Sequence, residues 1–141
     1  MELEFFEACY EGNLQKVKEL CNKLVDLNWS NPSESRAQET SFHWACAGRR
    51  KEVVEYLLRL PGIDVNKENK NGFTPLHIVC GNGAVEILNM MFASGKRFDT
   101  TKRTKITAST GNVTAAEFAR KKGKTDIAEL VDEYARDRRA V

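Results

Sequence analysis

The sequence repeats itself with a period of 34 residues. The segment TSFHWACA at 40–47 aligns with TPLHIVCG at 74–81, and EVVEYLL at 52–58 aligns with EILNMMF at 86–92. A period of about this length is typical of stacked repeat arrays, because one unit alone cannot bury its apolar face. The repeat therefore predicts an elongated stack of small units rather than a globule around one central core.

Each copy predicts two short helices. In the copy that begins at Thr74, this threonine can cap a helix and Pro75 suits its first position. Apolar residues then recur at i, i+3 and i+4, which gives the helix one buried face. Gly83 is placed to end it, and a second amphipathic segment follows. Since both helices are shorter than about 12 residues, they need neighbours to be stable.

The same frame fits both ends of the chain. FFEACYEG at 5–12 and TAAEFA at 114–119 begin further copies. The terminal copies are rich in charged residues, as expected for units that cap an array. We therefore expect one domain over residues 1–141, built of four copies that cover approximately 3–36, 37–70, 71–108 and 109–138.

Several motifs match the ankyrin repeat family at the family's spacing. They are TPLH at 74–77 with the Asn-Gly pair at 82–83, EVV at 52–54 with the Leu pair at 57–58, and DVN at 64–66. The chain thus resembles that family over nearly its whole length. The resemblance implies an all-α ankyrin-repeat solenoid, with four stacked helix-turn-helix repeats and projecting β-hairpin loops. It also implies protein binding rather than catalysis.

The spacing between copies is uneven. Their starts are 37, 34 and 40 residues apart, against a unit of about 33 residues. The extra residues fall at 31–38, 60–63 and 102–111. Insertions in repeat arrays collect on one face, often the binding face, although drift in a tolerant loop explains them equally well.

The resemblance also implies where a partner binds. In ankyrin repeats the concave face is formed by hairpin tips and by the two residues before the closing turn of each inner helix. In this sequence the helix positions are Tyr10, Glu11, Ala47, Gly48, Gly81, Asn82, Lys121 and Lys122, and the tip positions are Glu68, Lys70, Asn71 and Phe73. The small residues among them are expected to leave a shallow trough.

Two aromatic residues of the concave face are the expected anchors. Tyr10 and Phe73 would hold the partner, because aromatic side chains dominate interface energies. An alternative for Phe73 is packing against the neighbouring hairpin, and an alternative for Tyr10 is lying flat on the capping helix.

Charge is distributed unevenly along a nearly neutral chain. Residues 1–40 hold eight acidic and four basic residues, net −4, whereas residues 96–125 hold nine basic and two acidic residues, net +7. Such a gradient can orient a partner. It leaves an alternative function, nucleic-acid or anionic-lipid binding through the basic residues at 102–105 and 121–124. No aromatic residues interleave with this cluster, so stacking on single strands is not indicated.

The cysteines are interpreted as structural. Cys9, Cys46 and Cys80 occupy one position of three successive copies, which is normally small and interior. Cys21 ends the second helix of the first copy. A catalytic thiol would instead need exposure and a positively charged neighbour.

The two histidines also occupy equivalent positions. His43 and His77 each precede a cysteine by three residues, a pattern that could suggest zinc. Neighbouring repeats stack on the order of 10 Å apart, which is too far for these side chains to converge on one ion. The resemblance implies instead that each imidazole bonds the threonine at its helix start. We expect no catalytic residues, no metal and no cofactor.

The expected function is that of a non-catalytic intracellular interaction module, an adaptor, inhibitor or scaffold that binds another protein. No apolar stretch approaches 18 residues, so the chain is not expected to span a membrane. The start lacks the pattern of a secretory signal. We expect a cytoplasmic or nuclear monomer with no small-molecule substrate.

Overall fold

A computed structural model describes residues 1–33, 37–105 and 111–139. Within these residues the chain forms helices in four successive pairs. The pairs are α1 (Glu2–Glu11) with α2 (Leu14–Cys21), α3 (Ser41–Ala47) with α4 (Lys51–Leu58), α5 (Pro75–Asn82) with α6 (Val85–Ala93), and α7 (Ala115–Lys121) with α8 (Thr125–Arg139).

The pairs stack in two layers. The inner helices α1, α3, α5 and α7 each pack against the next one in the array, and α2, α4 and α6 do the same in the outer layer. Tyr134 of α8 stacks on Phe92 of α6 with ring centroids 4.0 Å apart, which ties the last outer helix to its neighbour. This architecture confirms the expected all-α solenoid.

Threonine caps start the inner helices. Thr40, Thr74 and Thr114 are extended residues whose side chains accept a hydrogen bond from the backbone three positions on. The side chain at that third position reaches back to the cap in a reciprocal capping box. Helix α5 begins at Pro75 and ends before Gly83, which has a φ of 73°. The start and stop predicted for this helix are confirmed.

The loops between pairs are joined edge to edge. The Lys70 N–H donates to the Ala37 carbonyl at 2.9 Å, and the Lys105 N–H donates to the Asn71 carbonyl at 3.0 Å. In the described part of the chain, regular β pairing is limited to one antiparallel bridge between Ser30 and Thr40. The loops therefore project without forming true strands. Residues 34–36 and 106–110, within the insertions singled out from the sequence, lie outside the described residues.

The core runs between the two layers along the array. Cys9, Cys46 and Cys80 are completely buried at equivalent positions of α1, α3 and α5. Apolar residues of the outer helices, such as Leu57 and Leu88, cover them from the other side. The interior position expected for these cysteines is confirmed.

Candidate protein-binding face

The closing turns of the inner helices form one row. Because α1, α3, α5 and α7 lie side by side in that order, the residues that end them follow one another along one side of the array. The eight helix positions expected on the concave face all fall in this row. Ala47, Lys121 and Lys122 are exposed, as is Tyr10 with 43% of its surface accessible. Partner binding by this row stays a prediction.

The hairpin tip is tied to the loops on both sides. The backbone hydrogen bonds of Lys70 and Asn71 connect it to the preceding and the following loop. Glu68 forms an ion pair with Lys102, with nitrogen and oxygen 3.3 Å apart. The neighbouring repeats therefore hold the tip residues in place, and their role in partner binding stays a prediction.

Phe73 packs between the third and fourth repeats. Its half-buried ring makes edge contacts with His77, at a centroid distance of 5.7 Å, and with Phe118 at 5.5 Å. Its carbonyl accepts a hydrogen bond from His43 Nε2 at 3.0 Å. Its neighbours are thus inner-helix residues, and any substitution here removes packing as well as a contact surface.

The shallow trough expected at the small residues is filled. The Phe118 ring lies over Gly81, so a Cβ at that position would collide with it. At Gly48 a Cβ would lie 3.1 Å from the Tyr10 carbonyl oxygen. The expectation of a trough was wrong at Gly48 and Gly81, because atoms of the neighbouring repeats lie close to both positions. Asn82 is also engaged, with Nδ2 donating to the Cys46 carbonyl at 3.3 Å and Oδ1 accepting from the Ala84 N–H.

An aromatic cleft lies at the α1 end of the concave face. The Tyr10 ring packs against Trp44 of α3 with centroids 4.3 Å apart at 62°. Behind them, Phe6 lies 4.8 Å from Trp44 and 6.1 Å from Trp29. This cleft has a volume of about 350 Å³ and is lined by Leu3, Phe6, Glu7, Tyr10, Glu11, Asn31 and Trp44.

Sequence reasoning missed most of this cleft. Trp44 precedes Ala47 by three residues in α3, so helical periodicity alone would have placed it on the same face. Asn31 lies in the first insertion, for which the other copies provide no template, and Glu39 aligns with Phe73, which has different chemistry.

Glu39 holds the Trp44 indole of the cleft by a hydrogen bond. One carboxylate oxygen accepts the Trp44 Nε1–H at 2.7 Å, and the other accepts from Asn69 Nδ2 at 3.1 Å. Burial raises the pKa of Glu39, and these two hydrogen bonds oppose the increase. The bond to Glu39 fixes the orientation of the indole at the cleft.

The histidines are part of the capping network. His43 Nδ1 accepts the Thr40 N–H at 3.2 Å, so Nε2 carries the proton that is donated to Phe73. His77 repeats the arrangement with Thr74 and the Val113 carbonyl. The role that the resemblance implied is confirmed. Both nitrogens of each ring are thus used within the protein, and the described residues contain no group of three or more potential ligands that could hold a metal ion.

Burial also governs the cysteines. It raises the pKa of the Cys9 and Cys80 thiols to about 12, and it raises the pKa of Cys46 as well. Cys21 is half-buried, and desolvation raises its pKa against an opposing hydrogen bond from Tyr56. Burial thus shifts the pKa of these thiols upward, the opposite of the shift that activates a nucleophilic cysteine.

Three of the nine basic residues at 96–125 pair with carboxylates of the protein. Lys102 pairs with Glu68, Arg103 pairs with Glu117 at 2.9 Å, and Arg120 pairs with Asp132. The positive charge available to an external polyanion is therefore smaller than the sequence count suggests.

A larger cleft, of about 620 Å³, lies on the outer side between α4 and α6. Its walls include Glu55, Arg59, Met90 and Lys96. Among the described helices, none combines the length and the apolar character that crossing a bilayer requires.

Stacked helix pairs, reciprocal threonine caps and loops joined edge to edge define a repeat solenoid. A family model described as ankyrin repeats, in three copies, matches residues 5–104. The chain belongs to the ankyrin repeat family. The helix pair α7–α8 continues the same architecture beyond the matched segment.

Relatives share the repeats within longer chains. The chain is 33% identical to osteoclast-stimulating factor 1 of Rattus norvegicus over 122 residues, which cover 85% of this chain and 55% of the relative. It is 38% identical to SMC5-SMC6 complex localization factor protein 1 of Homo sapiens over 73 residues, 52% of this chain and 7% of that protein. It is 31% identical to the palmitoyltransferase AKR1 of Kluyveromyces lactis over 93 residues, 64% of this chain and 12% of that protein. The chain therefore spans 7% to 55% of the length of these relatives.

Proposed function

We propose that this chain is a non-catalytic module, an adaptor or inhibitor, that binds a protein partner on its concave face. Repeats of this family generally mediate protein–protein interaction. The observation that carries the proposal is the exposed apolar end of this face. Tyr10 and Leu3, which both line the aromatic cleft, expose 43% and 49% of their surface. Large apolar side chains gathered at an exposed site and surrounded by polar groups mark interaction surfaces.

The four helix pairs act in this proposal as one binding domain over residues 1–141. Loops joined edge to edge hold the row of closing turns in a fixed register. A preorganised surface loses little conformational freedom when a partner docks, and this favours affinity. The proposal involves a monomer in the cytoplasm or nucleus and requires no metal, cofactor or small-molecule substrate.

The alternative function is binding of nucleic acid or anionic lipid by the basic end. The ion pairs of Lys102, Arg103 and Arg120 weigh against it, because each neutralises a charge that a phosphate backbone would need. A steep fall of affinity with salt, measured for DNA, RNA or anionic vesicles, would favour this alternative.

The proposal is tested by recovering the partner and mapping its footprint. Affinity purification from the native cell with mass spectrometry identifies the candidate, and calorimetry with the purified pair measures binding. Replacing Tyr10 with Ala should weaken binding by about 1–3 kcal/mol with the circular dichroism unchanged. The matched control is Asn89→Ala on the exposed side of α6, which should bind as the unmodified protein does. A footprint confined to the outer helices around Glu55 and Asn89 would contradict the proposal.

A further inference from the structure

We propose that the aromatic cleft binds a lysine or arginine side chain from an extended basic segment of the protein partner. This inference rests on the proposed function and adds the chemistry of the bound segment. The occupant is recognised by three independent features of the cleft: its ring faces, its unneutralised carboxylates and a buried amide donor.

The rings form a corner that suits a cation. Tyr10 and Trp44 pack on each other at 62° with centroids 4.3 Å apart, and both line the cleft, so a group bound in the cleft lies against both residues. An ammonium or guanidinium is attracted to the face of Trp or Tyr within about 6 Å of the centroid. With a volume of about 350 Å³, the cleft accommodates a long side chain rather than a folded element.

Two carboxylates beside the rings supply charge complementarity. Glu7 and Glu11 lie one turn apart on α1, line the cleft and are exposed. Within the described residues neither has an ion-pair partner, whereas nearby Glu4 lies 4.0 Å from Lys16 Nζ. An apolar occupant would remove water from both carboxylates without compensation, and an acidic one would be repelled. A basic side chain satisfies the carboxylates and the ring faces together.

A buried amide points to a peptide rather than a free amine. Asn31 lines the cleft with 6% of its surface exposed. Its Oδ1 accepts the Ser33 N–H at 3.0 Å, so the other amide atom is the nitrogen donor. In the part of the chain that the structure describes, this Nδ2 has no hydrogen-bond acceptor. A backbone carbonyl next to the bound basic residue supplies the acceptor that a buried donor requires.

The test uses short peptides on the full chain. Peptides of four Ala-Lys, Ala-Arg, Ala-norleucine or Ala-Glu repeats are titrated while nitrogen–proton correlation spectra are recorded. We expect the Lys or Arg peptide to shift the Trp44 indole signal and the Asn31 side-chain amide, and the relative shifts show which cation is preferred. The norleucine and Glu peptides should leave both signals in place. Equal binding of the norleucine peptide would overturn the inference.

Variants separate the cleft from general attraction to an acidic surface. Glu7→Gln with Glu11→Gln removes two charges at nearly constant shape and should lower the affinity for the Lys and Arg peptides at least about tenfold. The matched control is Glu129→Gln with Glu133→Gln, an exposed pair with the same spacing on α8, which should change little. Tyr10→Phe keeps a ring face and should bind, whereas Tyr10→Leu should not. Equal losses in both double variants would show non-specific electrostatics and refute the cleft.

The recovered partner distinguishes this inference from the proposed function. In one outcome, Tyr10→Ala weakens binding of the partner, the Glu7 and Glu11 double variant does not, and the peptides leave the Trp44 signal unshifted. The cation site is then wrong, and the concave-face function stands. If the peptides bind at Trp44 but only outer-helix variants affect the partner, the function is wrong and the cation site stands.

Discussion

Lowering the pH from about 7.5 to about 5.0 is expected to destabilise the fold through His43. This imidazole is 0% exposed and connects the second repeat to the third, by accepting from Thr40 and donating to the Phe73 carbonyl. Burial lowers its pKa from 6.5 to about 4, and the bond to Phe73 only partly opposes that shift. The folded protein therefore keeps this side chain neutral at a pH where the unfolded chain protonates it.

The sign and size of the effect follow from proton linkage. Between pH 6.5 and about 4, the unfolded state binds more protons at His43 than the folded state, so stability falls as the pH falls. The contribution is complete above about pH 6.5, and about 2 kcal/mol of it is lost by pH 5.0. His77, whose pKa is also lowered by burial, acts in the same direction. Glu39 opposes both, because its raised pKa makes the folded state take up a proton first.

The assay is urea unfolding followed by circular dichroism at both pH values. The control is His43→Gln, a side chain that can cap Thr40 as Glu117 caps Thr114 but does not titrate in this window. The unmodified protein should lose about 2 kcal/mol more than the variant between the two conditions. Identical losses would falsify the assignment of the acid sensitivity to His43.

Two further predictions address the packing. Thiol alkylation of the native protein at about pH 8 should modify about one cysteine per chain, Cys21, and the other cysteines should react only in denaturant. Fast labelling of two or more of Cys9, Cys46 and Cys80 would show that the repeat register is wrong. Gly81→Ala should lower the free energy of unfolding by about 1–3 kcal/mol, since the new methyl group meets Phe118. Gly62→Ala is its control, because a Cβ there lies at an ordinary 3.7 Å from Leu27 and should be neutral; equal effects in a thermal melt would rule out the collision.

Local rules repeated in every copy are the part of the fold that the sequence predicts. A threonine with a polar side chain three residues later caps three of the inner helices, and one column of small residues packs between the layers. These features depend on neighbours within a few residues or on the equivalent position of the next copy. The aligned copies therefore reveal the caps of Thr40 and Thr74 and the burial of Cys46.

Contacts between unlike residues of different copies could not be predicted from the aligned copies. Position in a helix predicts that Gly81 faces the concave side, but not that Phe118, which lies 37 positions further along the chain, fills the space above it. Asn31 comes from an insertion with no counterpart in the other copies, and Glu39 aligns with Phe73, a residue of different chemistry. Which ring or amide occupies a gap is decided by tertiary packing, and a periodic pattern carries no information about it.

The column of residues four positions after each capping threonine shows where this chain differs from a generic stack. It holds Trp44, Ile78 and Phe118, and the equivalent position of α1 holds Glu7. At the α7 end, Phe118 packs on Phe73, and nearby Arg103 and Arg120 pair with carboxylates. At the α1 end, Trp44 meets the exposed Tyr10 beside two carboxylates that have no ion-pair partner among the described residues. Because Glu7 and Glu11 present negative charge beside the aromatic cleft while the far end of the array is basic, an approaching segment with both charge signs is oriented with its basic residues toward the aromatic cleft. We therefore expect added salt to slow the association of a basic partner segment. The Glu7 and Glu11 double variant should remove that salt dependence of the association rate. If the salt effect persists in this variant, the electrostatic steering arises elsewhere on the surface.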